Sequence, residues 1–135
     1  NKNRDSDVEA MEQSAEIVPL DGSKTSNIFI NSSTIGSGDQ KLGEKLMEAF
    51  IFTLTEMDSK PDNILMMNSG VKVAVKGSVS IDNLRDLQES GVNILVCGAC
   101  LDYYNIKDQL EAGKISNMYE IASILTSTGN TVTVG

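Results

Sequence analysis

The sequence predicts an α/β fold, a three-layer α/β/α sandwich built on a mostly parallel sheet of about five strands. Two observations carry this expectation. Short runs that are apolar along their whole length, "NIFI", "NILMM" and "NILVC", alternate with longer stretches whose apolar residues recur at helical spacing. Strands without a polar face belong in a sheet covered on both sides, which is the habit of parallel sheets. Length agrees: 135 residues, 40% of them apolar, suffice for one domain with a proper core. With no Trp and few other aromatics, that core must rest on Leu, Ile, Val and Met.

Taken in order, residues 1–25 read as a flexible linker or arm, and residues 26–135 as the α/β domain. The arm is polar, with Asp5, Asp7, Glu9, Glu12, Glu16 and Asp21 against Lys2, Arg4 and Lys24. Only Ile17–Leu20 suggests a short docked segment. Residues 27–31 form the first predicted strand, followed by the polar, Gly-bearing loop "NSSTIGSGDQ". "KLGEKLMEAFIFTLTEM" spaces Leu42, Leu46, Phe50 and Leu54 for one helix face, with Met47, Ile51 and Met57 beside them. Ser37 or Asp39 suits its N-cap, and Pro61 lies beyond its end.

Residues 63–68 are the second predicted strand, and "SGVKVAVKGS" fits either a short strand or an irregular segment. "SIDNLRDLQESG" is a helix capped at Ser80, buried through Ile81, Leu84 and Leu87, and stopped at Gly91. "VNILVC" is the third strand. "LDYYNIKDQLEAG" reads as a short helix or turn that stops at Gly113. Asn117 three residues before Glu120 resembles a capping box for a helix that places Met118, Ile121, Ala122 and Leu125 on one face. "NTVTVG" is a terminal strand.

The formal charge of −8 argues against nucleic acid and against an anionic membrane surface as partner. No apolar run approaches the ~18 residues that a membrane-spanning helix needs. The opening "NKNRDSDVEA" lacks the apolar region of a secretory signal, and two cysteines make no disulfide framework, so a cytoplasmic setting is expected. The chain has no His, which excludes His-based triads, His acids and bases, and imidazole metal sites. One C-x-x-C supplies two of the four ligands of a zinc site, so neither a metal nor another cofactor is expected.

In open α/β sheets, ligands bind beyond the carboxyl ends of the strands. Three segments meet that description: the loop carrying Ser37 and Gly38, the segment Asn68, Ser69 and Gly70, and the segment from Cys97 to Cys100. The loop "STIGSGD" fits either an anion-binding turn or a plain connection. Cys97 ends a strand where a helix opens, and free backbone N–H groups there favour thiolate over thiol. Gly98 leaves room for a substrate, and Asp102, Tyr103 and Tyr104 fit either hydrogen bonds to it or packing at a subunit surface. The pair Cys97 and Cys100 therefore fits a persulfide or acyl carrier, a thioredoxin-like dithiol, or two small core residues. Against the dithiol, the motif lies late in the chain and no proline accompanies it.

The segments "NIFINSSTIGSGDQKLGEKLMEAFIFTLTEMD", "ILMMNSGVKVAVKGS" and "GVNILVCGACLDYYNIKDQLEAGKISNMYEIASIL" resemble the DsrE-like domain of YedF-type, selenium-metabolism-associated proteins. "GSGD", "NSGVK", "CGACLDYY" and "SNMY" stand in the same order. The resemblance spans about residues 26–135 and implies a flavodoxin-like α/β/α fold. It implies a sulfur (or selenium) relay with a persulfide on Cys97, and Cys100 matches the second cysteine of the YedF-type variant. It also implies a homo-oligomer and a partner that is a TusA-like carrier domain or another persulfide donor or acceptor. Residues 1–25 look like the linker that follows such a carrier domain, whose Cys-Pro motif this chain lacks. The alternatives are a non-catalytic binding module for a TusA-like domain or small anion, and a Cys97–Cys100 redox switch.

Overall fold

The computed structural model describes residues 25–135. The arm expected over residues 1–25 lies outside the described residues, apart from Thr25, which already belongs to the first strand. The elements are β1 (Thr25–Ile30), α1 (Gln40–Glu56), β2 (Asn63–Met66), a 3-10 helix (Asn68–Ala74), α2 (Ile81–Glu89), β3 (Asn93–Cys97), α3 (Gly98–Tyr103), a 3-10 turn (Lys107–Gln109), β4 (Lys114–Ser116), α4 (Met118–Leu125) and β5 (Gly129–Val134). No helix among the described residues is long and apolar enough to cross a membrane.

The five strands form one sheet in the order β4-β3-β2-β1-β5, and every pairing is parallel. From β1 to β4 the chain steps across the sheet in one direction, so right-handed crossovers lay α1, α2 and α3 on a single face. The return from β4 to β5 then lays α4 on the other. Side-chain placement agrees. On the first face Ile28, Ile30, Ile64, Met66, Ile94 and Val96 are all buried. Gly70 lies against Ile30 and Gly113 against Ile94 and Val96, which puts these connections on that same face. The second face carries Leu65, Leu95 and Cys97, and α4 packs there on β3 with Ile121 fully buried.

The second face also bears a polar ladder. Asn27, 1% exposed, accepts a hydrogen bond from Asn63 at 2.8 Å and donates to Thr131 Oγ1 at 3.3 Å. Asn93 donates in turn to Asn63 at 3.0 Å. Three aligned asparagines thus satisfy one another across β1, β2 and β3, which makes their burial tolerable.

Helix boundaries follow local chemistry. Asp39, not Ser37, caps α1 by accepting the Leu42 N–H at 2.9 Å. Gly91, at φ +105°, ends α2 with the paired bonds Gly91 N–H to Gln88 O and Val92 N–H to Leu87 O, a Schellman motif. Asn117 caps α4 by accepting the Glu120 N–H at 2.8 Å. Ser80 holds the N-cap position of α2, but its side chain makes no capping bond.

Three expectations need correction. The helix α1 buries Gly43, Met47, Ile51 and Leu54, one residue round from the expected stripe. The cause is Gly43, where a Cβ would stand 2.8 Å from Thr34 Cβ; only glycine lets the helix lie that close to the preceding loop. The segment after β2 is a 3-10 helix. The strand β4 had no signal in the sequence, being three residues at a sheet edge with one apolar side chain.

Candidate functional site

Parallel strands bring their carboxyl ends to one rim, and there the ends of β2, β3 and β4 converge on α3. Cys97 closes β3 and is the N-cap of α3, its sulfur accepting the Cys100 N–H at 3.3 Å. One turn on, the Cys100 thiol donates to Cys97 Sγ at 2.8 Å. Cys97 is 2% exposed and Cys100 half-buried, and both are free thiols. The Asn68 backbone N–H donates to Cys100 Sγ at 3.2 Å. Asn68 adopts φ +52° to do so, a conformation that asparagine tolerates better than most residues. The Tyr104 hydroxyl fixes its side chain by donating to Asn68 Oδ1 at 2.8 Å. Lys72 Nζ stands 4.3 Å from the Tyr104 ring centroid, a cation–π contact that steadies this ring.

The two cysteines line different clefts. On the β2 side a cleft of about 410 Å³ is lined by Met67, Asn68, Ala99, Cys100, Tyr103 and Tyr104. On the β4 side a cleft of about 460 Å³ reaches Cys97 and is lined by Asp102, Lys107, Ser116, Asn117 and Glu120 among others. The first is mainly apolar and aromatic. The second is the more polar of the two, with Lys107 paired to Asp102 at 3.0 Å and the Ser116 hydroxyl donating to Glu120 at 2.6 Å.

The other residues singled out in the sequence fall in different places. Tyr103 is 85% exposed and lines the aromatic cleft. Gly98 is buried against β4, where a Cβ would meet Ile115 Cγ2 at 3.0 Å and Ser116 O at 3.1 Å, so strand packing uses much of the space a side chain would fill. Ser69 Oγ accepts the Ser33 N–H at 3.2 Å, tying the 3-10 helix to the loop after β1. Gly70 packs on β1. Ser37 and Gly38 are exposed and line neither cysteine cleft. The start of α1 behind them already has its anion, the Asp39 carboxylate.

The sequence matches the DsrE/DsrF-like family over residues 27–134, which takes in every strand and both cysteines. The chain belongs to the DsrE/DsrF-like family. Among solved structures, the ychN protein from E. coli is similar, with TM-score 0.58 and 19% identity over 80% of this chain and 98% of that one. MTH1491 from Methanobacterium thermoautotrophicum, a protein of unknown function, gives TM-score 0.58 and 18% identity over 79% and 96%. At these identities the likeness shows the shared fold. No curated protein is significantly similar in sequence.

Within this DsrE/DsrF-like rim, Met67, Lys107, Ser116 and Glu120 were absent from the residues chosen by sequence. Met67 adjoins a chosen position and could have been included on adjacency. Ser116 and Glu120 reach the site through β4, which no pattern announced.

Burial pushes the Cys100 thiol above the ordinary cysteine value. Its hydrogen bond to Cys97 and the charge Cys97 can carry push the same way, against the Asn68 N–H, which pulls it down. Cys100 is therefore a protonated donor at neutral pH. Removing Cys97 removes two of the raising causes, so in Cys97→Ala the Cys100 proton leaves at lower pH. The rate of iodoacetamide reaction at Cys100, followed against pH, is expected to reach its midpoint at lower pH than in a chain retaining Cys97. An unchanged or higher midpoint would contradict this coupling.

Proposed function

We propose that this chain relays sulfur (or selenium) as a persulfide on Cys97, as a YedF-type member of a family associated with sulfur relay. The observation that carries the reading is the sulfur pair: Cys97 Sγ, at a strand end beside an open cleft, accepts hydrogen bonds from the backbone and the thiol of Cys100. Such donors favour a sulfur anion, the form that attacks sulfur. In the loading step the Cys97 thiolate attacks the outer sulfur of a donor persulfide. The donor's S–S bond breaks, its thiolate leaves, and Cys97 holds the transferred sulfur with no net oxidation.

The aromatic cleft, with Tyr103 exposed at its mouth, suits a protein partner such as a TusA-like carrier domain. Loading needs Cys97 as a reduced thiol, which fits a cytoplasmic setting. The docking-module alternative would use the same rim without sulfur uptake. The redox switch draws its support from the short Cys97–Cys100 separation.

The deciding experiment is to treat the reduced Cys100→Ala chain with glutathione persulfide and determine its mass. One added sulfur atom, mapped to Cys97, is expected. A chain that gains none would overturn the relay and leave the binding module as the better reading.

We also propose a homo-oligomer. On α1, Leu42 and Leu46 are 53% and 43% exposed on successive turns, an apolar stripe that a second copy would cover. Sedimentation of Leu42→Glu with Leu46→Glu should show a smaller species than the unaltered chain. Equal sizes would count against this face as the contact.

A further inference from the structure

Cys100 stands on the β2 side of Cys97, while the cleft that opens onto Cys97 lies on the β4 side. An outer sulfur carried on Cys97 therefore has its space in a cleft that Cys100 does not line. Displacement at sulfur runs in line: the attacking sulfur approaches opposite the bond that breaks. A thiol 2.8 Å from Cys97 Sγ, lining a different cleft from the outer sulfur, is placed to attack Cys97 Sγ itself. It is badly placed to take the outer sulfur, because in-line transfer between two sulfurs needs them far enough apart to hold a third between them. The Cys100–Cys97 hydrogen bond already aligns the two atoms that this attack joins.

From this geometry we infer that the pair discharges its load as sulfide: Cys100 attacks Cys97 Sγ, expels the outer sulfur, and leaves a Cys97–Cys100 disulfide. In balance, the Cys97 persulfide and the Cys100 thiol give the disulfide and hydrogen sulfide. The Cys97–outer sulfur bond breaks with its electron pair on the leaving sulfur, which takes up the Cys100 proton. The carried sulfur is reduced by two electrons, and the two cysteine sulfurs supply them. A further round requires a low-molecular-weight or protein dithiol to reopen the disulfide. The inference rests on the relay reading for its loaded state. It adds that the sulfur leaves as a free anion, where a relay alone would hand it on as a persulfide.

The test compares the full chain, its Cys100→Ser variant and its Cys100→Ala variant, all reduced and anaerobic. Each is treated with limiting glutathione persulfide, sulfide is trapped with monobromobimane, and a donor-only control is subtracted. The expected result is about one sulfide released per loaded chain for the unaltered protein, which ends lighter by two hydrogen atoms with Cys97 joined to Cys100. Both variants keep the added sulfur on Cys97 and lose the sulfide release. If the unaltered chain keeps the added sulfur and releases no sulfide while the variants load, the discharge is overturned and the relay stands. If neither variant takes up sulfur, the relay reading falls, and the discharge with it.

Discussion

Replacing Gly70 with alanine is expected to destabilise the domain by about 3 kcal/mol, the upper range for forcing atoms into a packed core. A Cβ there would overlap Ile30 O and lie 3.0 Å from Ile30 C. These are backbone atoms of a strand paired on both sides, Ile30 with Met66 of β2 and with Val134 of β5. Ile30 O also accepts the Met67 N–H at 3.0 Å, so retreat on either side breaks hydrogen bonds. The relief left is to lift the 3-10 helix, which would draw the Asn68 N–H away from Cys100. The urea midpoint should fall, and the alkylation rate of Cys100 should change with it. Gly38→Ala is the control: its Cβ meets nothing within 4 Å, so a change within about 0.5 kcal/mol is expected. Equal midpoints for the two variants would refute the close approach at Gly70.

The second large effect is chemical. Cys97→Ala is expected to lower sulfur uptake at neutral pH well below that of Cys100→Ala, although the more exposed of the two cysteines remains. Exposure alone would favour Cys100, which is half-buried where Cys97 is 2% exposed. Ionisation counts against Cys100, because the attacking species is the thiolate and desolvation still raises this thiol when Cys97 is gone. Cys97 receives the Cys100 N–H whatever the state of the partner thiol. Mass determination after persulfide treatment should therefore show one added sulfur in Cys100→Ala and a much smaller fraction loaded in Cys97→Ala. Uptake by Cys97→Ala equal to that of Cys100→Ala would mean that access, not ionisation, selects the sulfur.

How much of this was legible in the sequence depended on how local each cause was. The strands β1, β2 and β3 announced themselves because both their faces are covered, so every side chain in Ile64–Met66 or Ile94–Cys97 had to be small enough and apolar enough to bury. The strand β5 showed only the alternation in "NTVTV", since an edge strand need not be apolar throughout. β4 was silent for the same reason, carried further: Lys114 and Ile115 are exposed and Ser116 is polar. The polar cleft went unseen with it, although Ser116 and Glu120 lie four residues apart. The apolar face of α1 was visible, but which stripe turns inward was set by the closest approach at Gly43, a tertiary fact. The cysteine pair was legible as a motif. Its two-sided geometry was not, because it needs the neighbours that β2 and β4 bring from either flank.

The closing strand has a kinetic consequence. β5 pairs with β1 along its whole length, joining residues as far apart in sequence as Asn27 and Thr131, 104 positions. Until Gly129–Val134 has been synthesised, β1 has one neighbour only and presents a free edge. Loop-closure entropy for so long a span is met late, so the slow event in folding this domain should be the docking of β5 onto β1. A nascent chain would hold the cysteine rim nearly assembled while one flank of its sheet stayed open to pairing with another chain.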